Sequence, residues 1–180
     1  MSEPGAAERL AQEALENFRR EKLRAALEGF REAQALFTSN SRLVRAAEMA
    51  NNAAVTLLQL DQPQEALQAL EGTEQVFAES GEQRLQAQAI GNEASAYEAL
   101  GQPTKALELY QRSLSIFEEL DDDDARSYTL QALSRLQLKS GQAFQALDSM
   151  QAALDARPKR GLVGRMMQRL LRLPARWLNR

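Results

Sequence analysis

Four alanines, Ala26, Ala66, Ala106 and Ala146, stand 40 residues apart, and each is followed directly by a leucine, Leu27, Leu67, Leu107 or Leu147. Four residues beyond each alanine comes a large apolar side chain: Phe30, Leu70, Tyr110 and Met150. Further columns keep the same step, among them Phe37, Phe77 and Phe117; Ala14, Ala54, Ala94 and Ser134; Leu10, Ala50, Ile90 and Leu130. A step of this size marks a stacked supersecondary unit. One such unit cannot bury its own apolar face, so it must lean on a copy of itself.

The turn signals fall in phase with the columns. Gly101 and Gly141 can take the left-handed conformation that ends a helix. Pro63 and Pro103 follow the turns at a first helical position, where a missing N–H leaves no helical bond unmade. The spacing predicts a helix, a tight turn and a second helix in each unit. First helices are expected near 6–20, 45–60, 84–100 and 125–140, and second helices near 23–38, 63–79, 103–120 and 143–156. The small residue at 26, 66, 106 and 146 is expected where paired helices cross closely.

Composition agrees with an all-α chain. Ala, Leu, Gln and Glu, good helix formers, are abundant, while β-branched and aromatic residues are few. At 44% hydrophobic and 26% charged residues the chain can bury a core, which excludes the disordered class. There is no Cys and no His. Disulfides, thiolate chemistry, imidazole ligands and the commonest general base are thereby excluded. No catalytic constellation, cofactor site or metal site is expected. The run DDDD at 121–124 lies just before a first helix and lacks the spaced acids and glycine of a calcium loop, so it is expected to cap that helix. The first residues, MSEPGAAERL, do not form a secretory signal, and no stretch of 18 apolar residues occurs, so a cytoplasmic location is expected.

The motifs resemble the tetratricopeptide repeat (TPR), with small residues on the first helix and A-x3-F on the second. Ala26-x3-Phe30, Ala106-x3-Tyr110, and Ala146 with Pro158 carry the likeness, and Tyr97 fills the aromatic place nine residues before Ala106. The period is 40 rather than 34, Glu13 and Glu93 replace a usual leucine, and no Trp opens a unit. With NNAA at 51–54 and GNEA at 91–94, the longer period resembles the extended repeats of kinesin light chains and spindle-orientation adaptors. The resemblance implies a right-handed α-solenoid of four helix-turn-helix repeats over 6–158, with units near 6–44, 45–83, 84–124 and 125–158. A basic amphipathic segment, 159–180, follows.

The resemblance also implies a non-enzymatic scaffold or adaptor that binds a peptide or protein segment in a concave groove lined by first helices. Groove-facing positions would be Glu48, Asn51, Asn52, Val55 and Gln59; then Gln88, Asn92, Ser95 and Glu98; then Tyr128, Gln131, Arg135 and Lys139. Asn52 and Asn92 stand out, since an amide both donates and accepts and so grips a peptide backbone of any sequence. The lysine and asparagine clamp for a C-terminal carboxylate is not reproduced in the first two units.

Net charge is −3, but it is unevenly spread. Residues 157–180 hold eight basic side chains and no acid, leaving 14 basic against 25 acidic residues in the body. Such a body repels phosphates, so nucleic acid is not an expected partner. In GLVGRMMQRLLRLPARWLNR the apolar residues fall at helical spacing, with arginines between. Three roles are open to this tail. It can cap the face formed by Phe144, Leu147, Met150 and Leu154. It can lie on an anionic membrane through Arg165, Met166, Arg169, Leu170, Arg172 and Trp177, placing the protein at a membrane periphery. It can also dock back into the acidic body.

Overall fold

The computed structural model describes residues 5–156, which form nine α-helices. These are α1 (Ala6–Arg19), α2 (Leu23–Ser39), α3 (Leu43–Gln59), α4 (Pro63–Leu70), α5 (Thr73–Glu79), α6 (Gln83–Ala99), α7 (Pro103–Glu119), α8 (Asp123–Lys139) and α9 (Ala143–Ala156). Each packs mainly on its neighbours in sequence, with α4 and α5 together bridging α3 and α6. The result is an all-α, repeat-like solenoid.

One turn geometry recurs throughout. A single left-handed residue sits in every tight turn: Glu21, Ser41, Asp61, Gly81, Gly101, Asp121 and Gly141. The next N–H then reaches back five residues, as from Lys22 to Asn17 (2.9 Å), Arg42 to Phe37 (2.8 Å), Gln102 to Tyr97 (2.9 Å) and Gln142 to Gln137 (2.8 Å). This pairing satisfies carbonyls that the end of a helix would otherwise leave orphaned. Pro63 and Pro103 occupy the first turns of α4 and α7. The Asp run does cap: the Asp122 side chain accepts from the Ala125 N–H at 3.1 Å, and Asp123 and Asp124 lie in the first turn of α8.

The alanine column is buried along its whole length. Ala26, Ala66 and Ala106 are fully buried, and Ala146 is nearly so. On α2, a Cβ added at Gly29 would come within 2.9 Å of the Ala14 Cβ on α1. Buried hydroxyls reinforce these crossings by bonding carbonyls of the neighbouring helix. Ser113 donates to Ala87 (2.8 Å), Ser127 to Ala153 (3.0 Å) and Ser134 to Ala146 (2.8 Å). Phe30, Phe37 and Phe77 fill the space between helices with no exposed surface to speak of.

One expectation is corrected. The second helix foreseen over 63–79 is not continuous; it breaks at Glu71 and Gly72. Gly72 turns left-handed (φ 74), and the Thr73 hydroxyl takes up the Leu70 carbonyl at 2.7 Å. A glycine free to adopt positive φ, followed by a threonine able to bond backward, offers the chain an alternative to the helical ladder. First helices also begin one or two residues earlier than the spacing predicts, at 43, 83 and 123.

Glu93 on α6 faces an open cleft beside this break, lined also by Glu71, Glu74 and Tyr97. Burial pushes its carboxyl above the usual range, and the Glu74 charge adds to the effect. An acid whose folded value is raised favours the native state only when protonated. Glu93→Gln is therefore expected to raise the urea midpoint at pH 7. The gap from the natural chain should close as pH falls below about 4, where both chains are neutral at that position. Parallel urea titrations at pH 7 and pH 3.5 check this.

At the last described helix the stacking stops. Phe144 is 85% exposed, and Leu147, Met150 and Leu154 beside it are exposed as well. These are the four residues that the tail was expected to cover. The tail itself, with Arg165, Met166, Arg169, Leu170, Arg172 and Trp177, lies outside the described residues.

Candidate functional site

Three helices that each open a unit, α3, α6 and α8, share a cavity of about 430 Å³ with α7 at its floor. Helix α3 contributes Asn51, Asn52 and Val55; α6 contributes Arg84, Ala87, Gln88, Gly91, Asn92 and Ser95. From α7 come Tyr110, Ser113 and Phe117, and from α8 Asp124, Ala125, Tyr128 and Thr129. The hollow exists because small residues stand where a solenoid core would otherwise be filled. A Cβ on Gly91 would come within 3.3 Å of the Ser113 hydroxyl, and that hydroxyl is itself anchored to Ala87.

Polar groups in the wall are arranged in series. The Asn92 amide donates to the Asn51 side-chain oxygen at 2.9 Å, tying α6 to α3. Ser95 lies 2.9 Å from the Tyr110 hydroxyl, and that hydroxyl donates to Glu98 at 3.4 Å. Glu98 also accepts from Arg135 (3.2 Å) and Lys139 (2.9 Å) of α8. Burial alone would push the Glu98 carboxyl up, but the hydrogen bonds from Lys139 and Arg135 outweigh it and hold the group below the usual carboxylate range. Burial raises the Tyr110 hydroxyl above its ordinary value, so it stays a neutral donor. At the opposite end Arg84 bonds Asp122 at 2.7 Å; that contact, with the Ala125 N–H, keeps Asp122 ionised to lower pH than a free aspartate.

Seven of the thirteen residues expected to face a groove line this cavity: Asn51, Asn52, Val55, Gln88, Asn92, Ser95 and Tyr128. The other six do not. Glu48 is paired with Arg45 on its own helix, and Gln59 is exposed near the end of α3. Gln131 donates to the Ser127 carbonyl at 3.1 Å. Glu98, Arg135 and Lys139 form the ion cluster at one edge. The two asparagines singled out differ in availability. Asn92 is engaged with Asn51, which is only 8% exposed, while the half-buried Asn52 side chain makes no hydrogen bond among the described residues. Tyr128 is 77% exposed at the rim. The floor residues Tyr110, Ser113 and Phe117 belong to a second helix and were not foreseen. Gly91, a glycine inside a helical pattern, was the available signal, since such a residue weakens a helix and so marks room or close approach.

Among the described residues there is no group of three acidic side chains placed to hold a metal, and no helix is long and apolar enough to cross a membrane. Nothing in the arrangement supplies a nucleophile with an adjacent base. The wall presents a few amides and hydroxyls around an apolar hollow.

Comparison with known proteins bears on the fold. The tetratricopeptide repeat pattern matches residues 85–159. No curated protein sequence matches the chain. Among solved structures, the Rap protein complexed with Competence and Sporulation Factor superposes with a TM-score of 0.76 at 18% identity, covering 83% of this chain and 42% of its own. The apo form of RapI gives 0.79 at 18% identity, over 87% of this chain and 57% of that one. A Podosopora anserina structure of kinesin light chain nearly identical TPR-like repeats gives 0.71 at 19%, over 89% and 79%. This chain thus spans about two-fifths of the Rap protein and somewhat over half of RapI. At these identities the likeness is one of fold. Residues 85–159 match the tetratricopeptide repeat, and the likeness to the solved structures is one of helical-repeat fold.

Proposed function

We propose that this TPR-like array is a non-enzymatic scaffold that binds an extended segment of a partner protein across α3, α6 and α8. One observation carries the reading: side chains 29 residues apart or more, on three successive unit-opening helices, converge on a single hollow. A preformed wall of this kind loses little conformational freedom on binding, so contacts convert efficiently into affinity. The Rap structure, held in complex with Competence and Sporulation Factor, supports the reading only in that an array of similar fold is seen with a partner bound. The kinesin-light-chain-like period supports a role in bringing proteins together, and the four-unit count of the repeat is adopted here on the same footing. Attachment of residues 161–180 to anionic lipid remains a separate reading that no described residue favours.

The test uses a display library of short unstructured peptides panned on the full chain. Asn52→Ala combined with Tyr128→Ala strips the rim without touching the core or the Asn51–Asn92 bond. Selected peptides are expected to bind this variant about tenfold more weakly or worse, as loss of an exposed aromatic anchor does elsewhere. Unchanged affinity at every selected peptide, with helicity intact by circular dichroism, rules out the groove.

A further inference from the structure

The two ends of the cavity differ in charge. Just beyond one end, outside the lining itself, the Glu98 side chain is only 12% exposed, yet it accepts from Arg135 and Lys139, whose side chains are 59% and 62% exposed. One carboxylate cannot neutralise two cations. A unit of positive charge is left over, and it rests on the groups that reach solvent. The Tyr110 hydroxyl, shared between Glu98 and Ser95, joins this cluster to the cavity wall. At the other end Asp124 lines the cavity and makes no ion pair among the described residues, whereas Asp122 and Asp123 are matched by Arg84 and Arg126.

We infer that the occupant of the cavity is an extended protein segment of fixed polarity, with a carboxylate against Arg135 and Lys139 and a basic side chain against Asp124. An apolar side chain between them fills the hollow bounded by Val55 and Phe117. This rests on the groove reading above and narrows it to one chemistry. Asp124 and Arg135 stand eleven residues apart on α8, roughly 16 Å at the helical rise. An extended chain covers that length in about five residues. A segment laid the opposite way would set like charges against each other at both ends, so the polarity is enforced by repulsion as well as attraction.

The prediction is read from the same panning on the full chain. Peptides sensitive to the Asn52 and Tyr128 substitutions should carry a basic and an acidic residue, or a basic residue and the chain terminus, about five positions apart. Synthetic copies with free and with amidated C-termini separate the two sources of carboxylate: loss on amidation assigns it to the terminus, and no loss to an Asp or Glu side chain. Lys139→Gln leaves Arg135 alone to match Glu98, and should weaken these peptides about three- to tenfold. Glu98→Gln releases both cations and should tighten them by a similar factor. Asp124→Asn should weaken those with the basic residue in register. Rim-dependent peptides that lack this charge spacing, or that ignore both Lys139→Gln and Glu98→Gln, overturn the polarity while leaving the groove in place. If no selected peptide responds to the rim substitutions, the groove reading fails and the polarity fails with it.

Discussion

Phe77→Ala is expected to destabilise the chain by about 3–5 kcal/mol, the usual effect of emptying a site that held a large aromatic ring. Phe77 has no exposed surface and packs in the cluster that joins α1 through α6. It sits on α5, which is seven residues long and begins immediately after Gly72. So short a helix has few bonds of its own and holds its place mainly through the side chains it buries. In a stacked array, moreover, each unit depends on the interface with the next, so a void here weakens both the α3 and the α6 contacts. Urea unfolding followed by circular dichroism measures the loss. Val76→Ala, at a half-buried neighbour, serves as the control and should cost no more than about 1 kcal/mol. Equal effects at the two positions would mean that the phenylalanine column does not anchor the stack.

A chain ended at Ala156 is expected to self-associate. Phe144, Leu147, Met150 and Leu154 form one exposed apolar stripe on α9, flanked by the exposed Asp148 and Asp155. Each such side chain taken fully out of water contributes about 1.5–3 kcal/mol. Even after the cost of association, four of them can support pairing at roughly micromolar concentration. Sedimentation velocity over a concentration series should show a dimer that Leu147→Lys with Met150→Lys abolishes. If residues 157–180 supply the missing cover, their arginines facing Asp148 and Asp155, then the full chain stays monomeric at the same concentrations. A full chain that associates as readily as the shortened one excludes the capping role for that segment.

The helical repeat could be read from the sequence because its columns are a direct record of packing. The recurring alanines are buried, and a helix one residue out of phase would lose its buried face. Turn chemistry fixed the ends of most helices to within two residues. The break at Glu71 and Gly72 escaped because a lone glycine inside an otherwise regular pattern is usually tolerated, and here Thr73 decides the matter through a backward hydrogen bond. The site was only half legible. First-helix positions such as Asn52, Val55 and Tyr128 follow from the resemblance to the tetratricopeptide repeat, which puts ligand-facing residues on the first helices. The pairing of Glu98 with Arg135 and Lys139, 37 and 41 residues away, depends on the offset between neighbouring units. That offset is set by side-chain volumes in the crossings, which a constant sequence spacing does not encode. The same offset brings Arg84 to Asp122 and Arg112 to Glu74, each pair 38 residues apart.

The interruption between α4 and α5 has a mechanical side. These two short rods stand between α3 and α6, two of the walls that enclose the hollow. The left-handed backbone at Gly72 is what interrupts the rod, and a side chain there would be strained, so a glycine that does not line the hollow shapes the support behind two of its walls.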